Sequence, residues 1–183
     1  MRPIRNVHLR RVPAPIERVR PWIESCWSGG ERDCFPRDVI PDWRVNPPGA
    51  DPLALLPGKT LVGHGPFRFR LRAWDGVAWR VDVVGSIAGW HGFDLEPDGD
   101  GCRVTHTVEL QSTLSTRLRW LSIVAIHDWA VEALFDRLEH ALRTGVVPER
   151  TERPMTRHAA FGLRLARHAR SRRPVARPAA LVA

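Results

Sequence analysis

"IVAIHDWAVEALFDRLEHAL", residues 123–142, reads as one long amphipathic helix. At helical spacing Val124, His127, Val131, Leu134, Phe135, Leu138 and Ala141 share a stripe, and Arg137, Glu139, His140 and Arg143 lie off it. Ser112, Thr113 or Ser115 can cap its start, and Gly145 followed by Pro148 marks its stop. About 28 residues at 1.5 Å each span roughly 40 Å, the length of a whole small domain. An apolar stripe of that length needs an equally large partner. A histidine, His127, sits in its middle on the side that should be buried.

The partner is written just upstream. In "FRFRLRAW", residues 67–74, Phe67, Phe69, Leu71 and Ala73 alternate with Arg68, Arg70 and Arg72, the pattern of a half-buried antiparallel strand. Asp75-Gly76 is a turn, and "VAWRVDV" repeats the alternation with Val77, Trp79, Val81 and Val83 inward. "SIAGWHGFDLE" and "CRVTHTVELQ" are two more strands around a "PDGDG" turn, with Val104, His106, Val108 and Leu110 on one face of the last. A meander of this kind has one apolar and one polar face. The three arginines 68, 70 and 72 form a solvated outer row.

The first 60 residues are less regular. "IRNVHLRRVPAP" reads as a strand with Ile4, Val7, Leu9 and Val12 as its apolar members, in imperfect alternation. The segment after Pro15 has a helical pattern at 16, 19, 23 and 26, which Pro21 should bend or break. Residues 28–59 are rich in Gly, Pro and Asp and read as irregular, with room for a short helix and a short strand. The order is strand, helix, irregular segment, meander, long helix. That is an α+β arrangement, a curved antiparallel sheet gripping one helix.

Together, "VPAPIERVRPWIES" after a first strand, "FDLEPDGDGCRVTHTVEL" as a last hairpin and "HDWAVEALFDRLEHAL" as a closing helix resemble the START-like, or SRPBCC, superfamily, often described as polyketide cyclase/dehydrase-like. The resemblance covers about residues 4–145 and implies a helix-grip fold with a deep cavity between sheet and C-terminal helix. Members bind lipids, sterols, polyketides, plant hormones or quinones, and a minority cyclise or dehydrate a bound polyketide. The family has no universal catalytic motif, so no catalytic residue is carried over. It implies no cofactor and no metal. The expected activity is binding of a small, mainly apolar molecule; the alternative is a polyketide aromatase/cyclase or dehydratase using histidines as acid and base.

The cavity lining expected from these patterns is His127, His91, His106, Trp79, Phe67, Phe69, Phe93, Val124 and Val131. Pairing Leu95 with Cys102 puts Phe93 opposite Val104 and His91 opposite His106; a shift of two residues pairs Phe93 with His106 instead. Either way three imidazoles point inward. They can orient a carbonyl or hydroxyl ligand, or be three separate core histidines satisfied by backbone or water. Asp128 beside His127 is not expected to form a dyad, because neighbouring helix positions diverge by about 100°. Trp43 and Trp90 are weaker candidates for a pocket rim.

The chain has 183 residues and a net charge of +8. Residues 150–183 hold nine arginines and one acid, Glu152, whereas residues 1–149 balance 19 basic against 19 acidic residues. The body is neutral and residues 150–183 carry the charge. "RHAAFGLRLARHAR" can form a short basic helix with Phe161, Leu165 and Ala169 on one side, and the remainder has the composition of a flexible segment. The expectation is a domain over 1–149 that folds without the tail, and a basic flexible tail over 150–183, solvated or in weak contact with an anionic membrane. Nucleic acid is not an expected partner, since no reading module accompanies the charge. Three cysteines without metal or redox spacing fit reduced thiols in the cytoplasm. Cosedimentation with anionic vesicles is therefore expected to depend on residues 150–183 and to fall steeply between about 50 and 300 mM salt. Equal binding by the full chain and one ending at Glu149 contradicts this.

Overall fold

The computed structural model describes residues 2–28, 31–40, 61–64, 67–75, 77–85 and 87–171. Strand β1 (Ile4–Val12) leads into helix α1 (Ile16–Ser28). Strands β2 (Leu61–His64), β3 (Phe67–Trp74), β4 (Ala78–Val84), β5 (Gly89–Asp98) and β6 (Gly101–Leu110) follow. Helices α2 (Leu114–Thr144) and α3 (Arg157–Ser171) end the described chain. The strands form one antiparallel sheet in the order β1-β6-β5-β4-β3-β2. This curved sheet grips α2, as the α+β pattern predicts.

The ends of α2 are set by local chemistry. The Thr113 hydroxyl accepts from the Thr116 N–H at 3.1 Å, and Gly145, at φ 80°, donates its N–H to the Ala141 carbonyl at 2.8 Å. Both residues were legible as caps. Helix α1 runs through Pro21 without ending there. Pro21 removes one hydrogen bond, but burial of Val19, Ile23 and Cys26 on the common core holds both halves in line.

Helix α2 is buried over more than the predicted stripe. Ile126, Trp129, Ala130, Ala133 and Arg137 are buried as well, because α3 and the segment 31–40 also pack onto the helix. Arg137, placed off the stripe by spacing, donates from Nε to the Cys34 carbonyl at 3.1 Å and from Nη1 to the Thr151 hydroxyl at 3.2 Å. That contact ties α2 to two irregular segments.

The near part of the basic segment is packed against the body, which corrects the picture of a loose tail from residue 150. The Thr151 N–H and hydroxyl both donate to the Asp38 carboxylate, at 2.7 and 2.6 Å, and Arg153 donates to Asp136 at 2.7 Å. Ala159 is fully buried in the main core, with Met155 and Leu163 against it. Gly162 faces Ser122 and Ile126 of α2. Phe161 and Leu165, on the apolar side of α3, face solvent, as do Leu114, Leu118 and Leu121 of α2. The small residues Ala159 and Gly162 make the contact because they let the helices approach closely.

Strand β1 turns in only two of its four apolar members, Ile4 and Val12. Ile4, Asn6, His8, Arg10 and Val12 turn inward, whereas Val7 and Leu9 are 45% and 57% exposed. Cys26, Cys34 and Cys102 are buried free thiols. Burial pushes the Cys34 thiol up to about 12 and raises the other two.

Gly92 on β5 marks the closest backbone approach: a Cβ there would lie 1.8 Å from the Trp79 carbonyl oxygen. Gly92→Ala is expected to cost about 3 kcal/mol or more, since backbone on two strands would have to move. Gly145→Ala, strained only by its left-handed φ, is expected to cost about 1 kcal/mol. Urea unfolding of the two variants gives the ranking.

Candidate functional site

The inner face of the sheet is organised in cross-strand rungs. His8 pairs with His106, His106 with Phe93, and Phe93 with Trp79, so one rung crosses four strands. The neighbouring rung holds Asn6, Val108, His91 and Val81. This is the second of the two registers open from the sequence, with Leu95 opposite Val104. Members of a rung point to one face, and here that face looks at α2.

Helix α2 lays His127 over the first rung. The His127 ring centroid is 5.2 Å from that of His106 and 6.0 Å from that of His8. His91 stands 5.7 Å from His106, so four imidazoles from β1, β5, β6 and α2 form one cluster. Aromatic rings enclose it: Phe93 meets His106 edge-on at 4.7 Å, Phe69 meets His91 at 4.5 Å, and Trp120 lies 5.3 Å from His127. His106 and His127 are buried, and His91 is half-buried.

At the β1 end the cluster meets carboxylates. His8 Nδ1 lies 2.8 Å from Glu132 Oε1, and His8 Nε2 lies 3.1 Å from Asp128 Oδ1. The Asn6 amide donates to the same Asp128 oxygen at 3.0 Å, and His127 Nδ1 approaches it at 3.4 Å. Asp128 and His127 thus do meet, contrary to the expectation from helix geometry, because both side chains swing toward His8. Further along, Arg10 bonds Glu132 at 2.8 Å and Asp136 and Glu139 at 3.2 Å each. Arg153 from the C-terminal segment joins at Asp136.

These contacts separate the two imidazoles electrostatically. Burial disfavours a charge on His8, but its bonds to Asp128 and Glu132 outweigh that and raise its pKa. His127 moves the other way: burial lowers it and the nearby His8 adds to the effect, against the opposing pull of Asp128. Burial would raise Asp128, yet its bonds from His127 and His8 outweigh this and hold it well below the usual carboxylate range. The two neighbouring imidazoles are thus shifted in opposite directions.

Of the expected lining residues, the structure brings His91, His106, His127, Trp79, Phe69 and Phe93 to one face-to-face region of sheet and helix, with Val131 buried on α2. Val124 is half-buried. The side chain of Phe67 and the whole of Trp43 lie outside the described residues. His8 was missed, because the apolar members Ile4, Val7, Leu9 and Val12 do not alternate and so do not show which face of β1 turns inward. The signal was present: Asp128, Glu132, Asp136 and Glu139 make an acidic stripe on α2, and Asn6, His8 and Arg10 alternate on a strand. A polar hollow of about 360 Å³ lies elsewhere, at the C-terminal end of α2. Its lining includes Asp136, Glu139, Arg143, Arg150 and Arg153, which does not suit an apolar molecule.

No protein-family model and no curated protein matches the sequence. Solved structures do match. The crystal structure of CalU16 from Micromonospora echinospora aligns with a TM-score of 0.50 at 18% identity, over 91% of this chain and 86% of that one. Ara h 8.0201 aligns with a TM-score of 0.51 at 11% identity, over 78% of this chain and 99% of that one. The fold is the helix-grip fold. In this helix-grip chain the grip is partly ionic, since β1 meets α2 through His8 and Arg10.

Arg10→Met is expected to destabilise the fold by about 1–3 kcal/mol, because it leaves Glu132, Asp136 and Glu139 facing a half-buried strand with fewer partners. Adding Glu132→Gln to it should cost less than the two single costs combined, since the residues share a bond. Urea titrations of the wild type and three variants close this cycle.

Proposed function

We propose that the protein binds a small, mainly apolar molecule, such as a lipid, polyketide or quinone-like compound, between the inner sheet face and α2. The observation that carries this reading is the imidazole cluster set among Phe69, Trp79, Phe93 and Trp120. Polar groups inside an apolar lining are what fix the orientation of a ligand bearing one carbonyl or hydroxyl. His106 and His127 take that role, and His91 serves at the half-exposed end. The helix-grip fold supports the reading, since it layers a sheet against one long helix. The ligand-binding unit is residues 1–149; residues 151–163 brace α2, and the basic charge of 150–183 supplies weak attraction to anionic membranes in the cytoplasm.

One observation favours a second reading, a polyketide cyclase or dehydratase. The contacts of His8 push its pKa up and burial pushes that of His127 down, and such a divergence is what an acid–base pair needs. Turnover separates the two, because a binder returns its ligand unchanged.

Native mass spectrometry of protein purified from its own host is expected to show a co-purified molecule of discrete mass. His127→Leu and His106→Leu should keep cooperative thermal unfolding and weaken that molecule, or a displaceable apolar dye such as anilinonaphthalene sulfonate, by about tenfold, equivalent to about 1.4 kcal/mol. Variants that lose stability while binding unchanged would make the histidines core groups and end the proposal.

A further inference from the structure

We propose that His8, His127 and Asp128 form a binding site for a divalent transition-metal ion of the zinc class. Their donor atoms, one from each residue, all lie within 4.8 Å of one another. His8 Nε2 and His127 Nδ1 stand 3.1 and 3.4 Å from Asp128 Oδ1. A tetrahedral ion with bonds of about 2.0–2.1 Å holds neighbouring donors about 3.3–3.4 Å apart, so these separations already match two edges of such a site. Small side-chain rotations bring the two nitrogens to the third edge.

Three further features fit a metal better than a plain ion pair. First, the other nitrogen of His8, Nδ1, is held by Glu132 at 2.8 Å. A carboxylate on the far side of a ligating imidazole fixes its tautomer and aims the free nitrogen, a device that recurs behind metal-bound histidines. Second, Asp128 Oδ1 collects three nitrogens, from Asn6, His8 and His127, whereas one carboxylate oxygen offers about two lone pairs. An ion seated between the oxygen and the two imidazoles relieves that crowding and leaves the Asn6 amide as the outer partner. Third, the ligands come from the sheet edge and from α2, both buried or half-buried, so the set is held by the fold.

Two imidazoles and one carboxylate leave a fourth position for water or for an oxygen of a bound molecule. The His106 ring is the next group along, 5.2 Å from His127 and 6.5 Å from His8 between centroids. The family resemblance implies no metal, and the sequence pattern did not bring His8 of β1 to the histidines of the sheet and α2. The missing ligand was His8 on β1. This site stands independently of the apolar-ligand proposal, because binding of the ion is measured without any organic ligand.

The test uses the full chain stripped of metal with a chelator and titrated with Zn²⁺, read by calorimetry and by imidazole ¹⁵N chemical shifts. One equivalent should bind, and two of the eight histidine rings should move to metal-bound shifts. His8→Gln and Asp128→Asn should each abolish or weaken this binding at least a hundredfold. Glu132→Gln should weaken it by about 10–100-fold. His140→Gln, outside the set, should leave it unchanged. Far-ultraviolet circular dichroism without metal confirms that each variant is folded, and the ¹⁵N shifts of the wild type decide the matter if a variant is not. Absence of stoichiometric binding by the wild type, or binding that survives His8→Gln and Asp128→Asn but is lost in His140→Gln, His158→Gln or His168→Gln, overturns the proposal.

Discussion

Helix α2 carries Asp128, Glu132, Asp136 and Glu139 into contact with the sheet, and β1 answers them with His8 and Arg10. Charges removed from water are tolerated only when paired and hydrogen-bonded. The placement of β1 at the sheet edge beside β6 is therefore an electrostatic requirement as well as a strand pairing. It fixes the axial position of α2 relative to the sheet, since each carboxylate has a particular partner. The position of α2 in turn sets His127 over the rung that holds His8, His106, Phe93 and Trp79.

The other side of α2 is held by different chemistry. Ala159 and Gly162 give close apolar contact, and Arg137 reaches the Cys34 carbonyl and Thr151. The segment 31–40 thus has a role despite its lack of regular structure: Asp38 receives two hydrogen bonds from Thr151 and faces Arg137 at 3.6 Å. The helix is clamped between an ionic face toward the sheet edge and a close-packed face toward α3.

Much of this was legible in the sequence because the signals were local or strictly periodic. The alternation Phe69–Leu71 and Trp79–Val81, the cap Thr113 and the stop at Gly145 each depend on a few adjacent residues. The inward direction of His106 and His127 followed from the same periodicity. Elsewhere local pattern and tertiary demand pulled apart. Val7 and Leu9 on β1 are the apolar choice by any hydrophobic count, yet the strand turns His8 and Arg10 inward because the acidic stripe opposite needs them. That preference involves residues 120 or more positions apart, and no local window contains both halves. The register of β5 on β6 was open by two residues for a related reason, since both pairings keep the same faces inward. The contact of α3 with α2 runs through the small residues Ala159 and Gly162, which carry no hydrophobic signal, while the larger Phe161 and Leu165 stay outside.

The three thiols have a practical consequence. Cys26 sits on α1, Cys34 in the segment that meets Arg137, and Cys102 on β6, each shielded from solvent. A thiol reagent reacts with the deprotonated, accessible form, so the native state keeps all three silent. Modification at each cysteine then proceeds at the rate at which its own neighbourhood opens. The chain carries three intrinsic clocks, one for the first helix, one for the irregular clamp and one for a central strand. The order in which they are struck reports how the molecule comes apart.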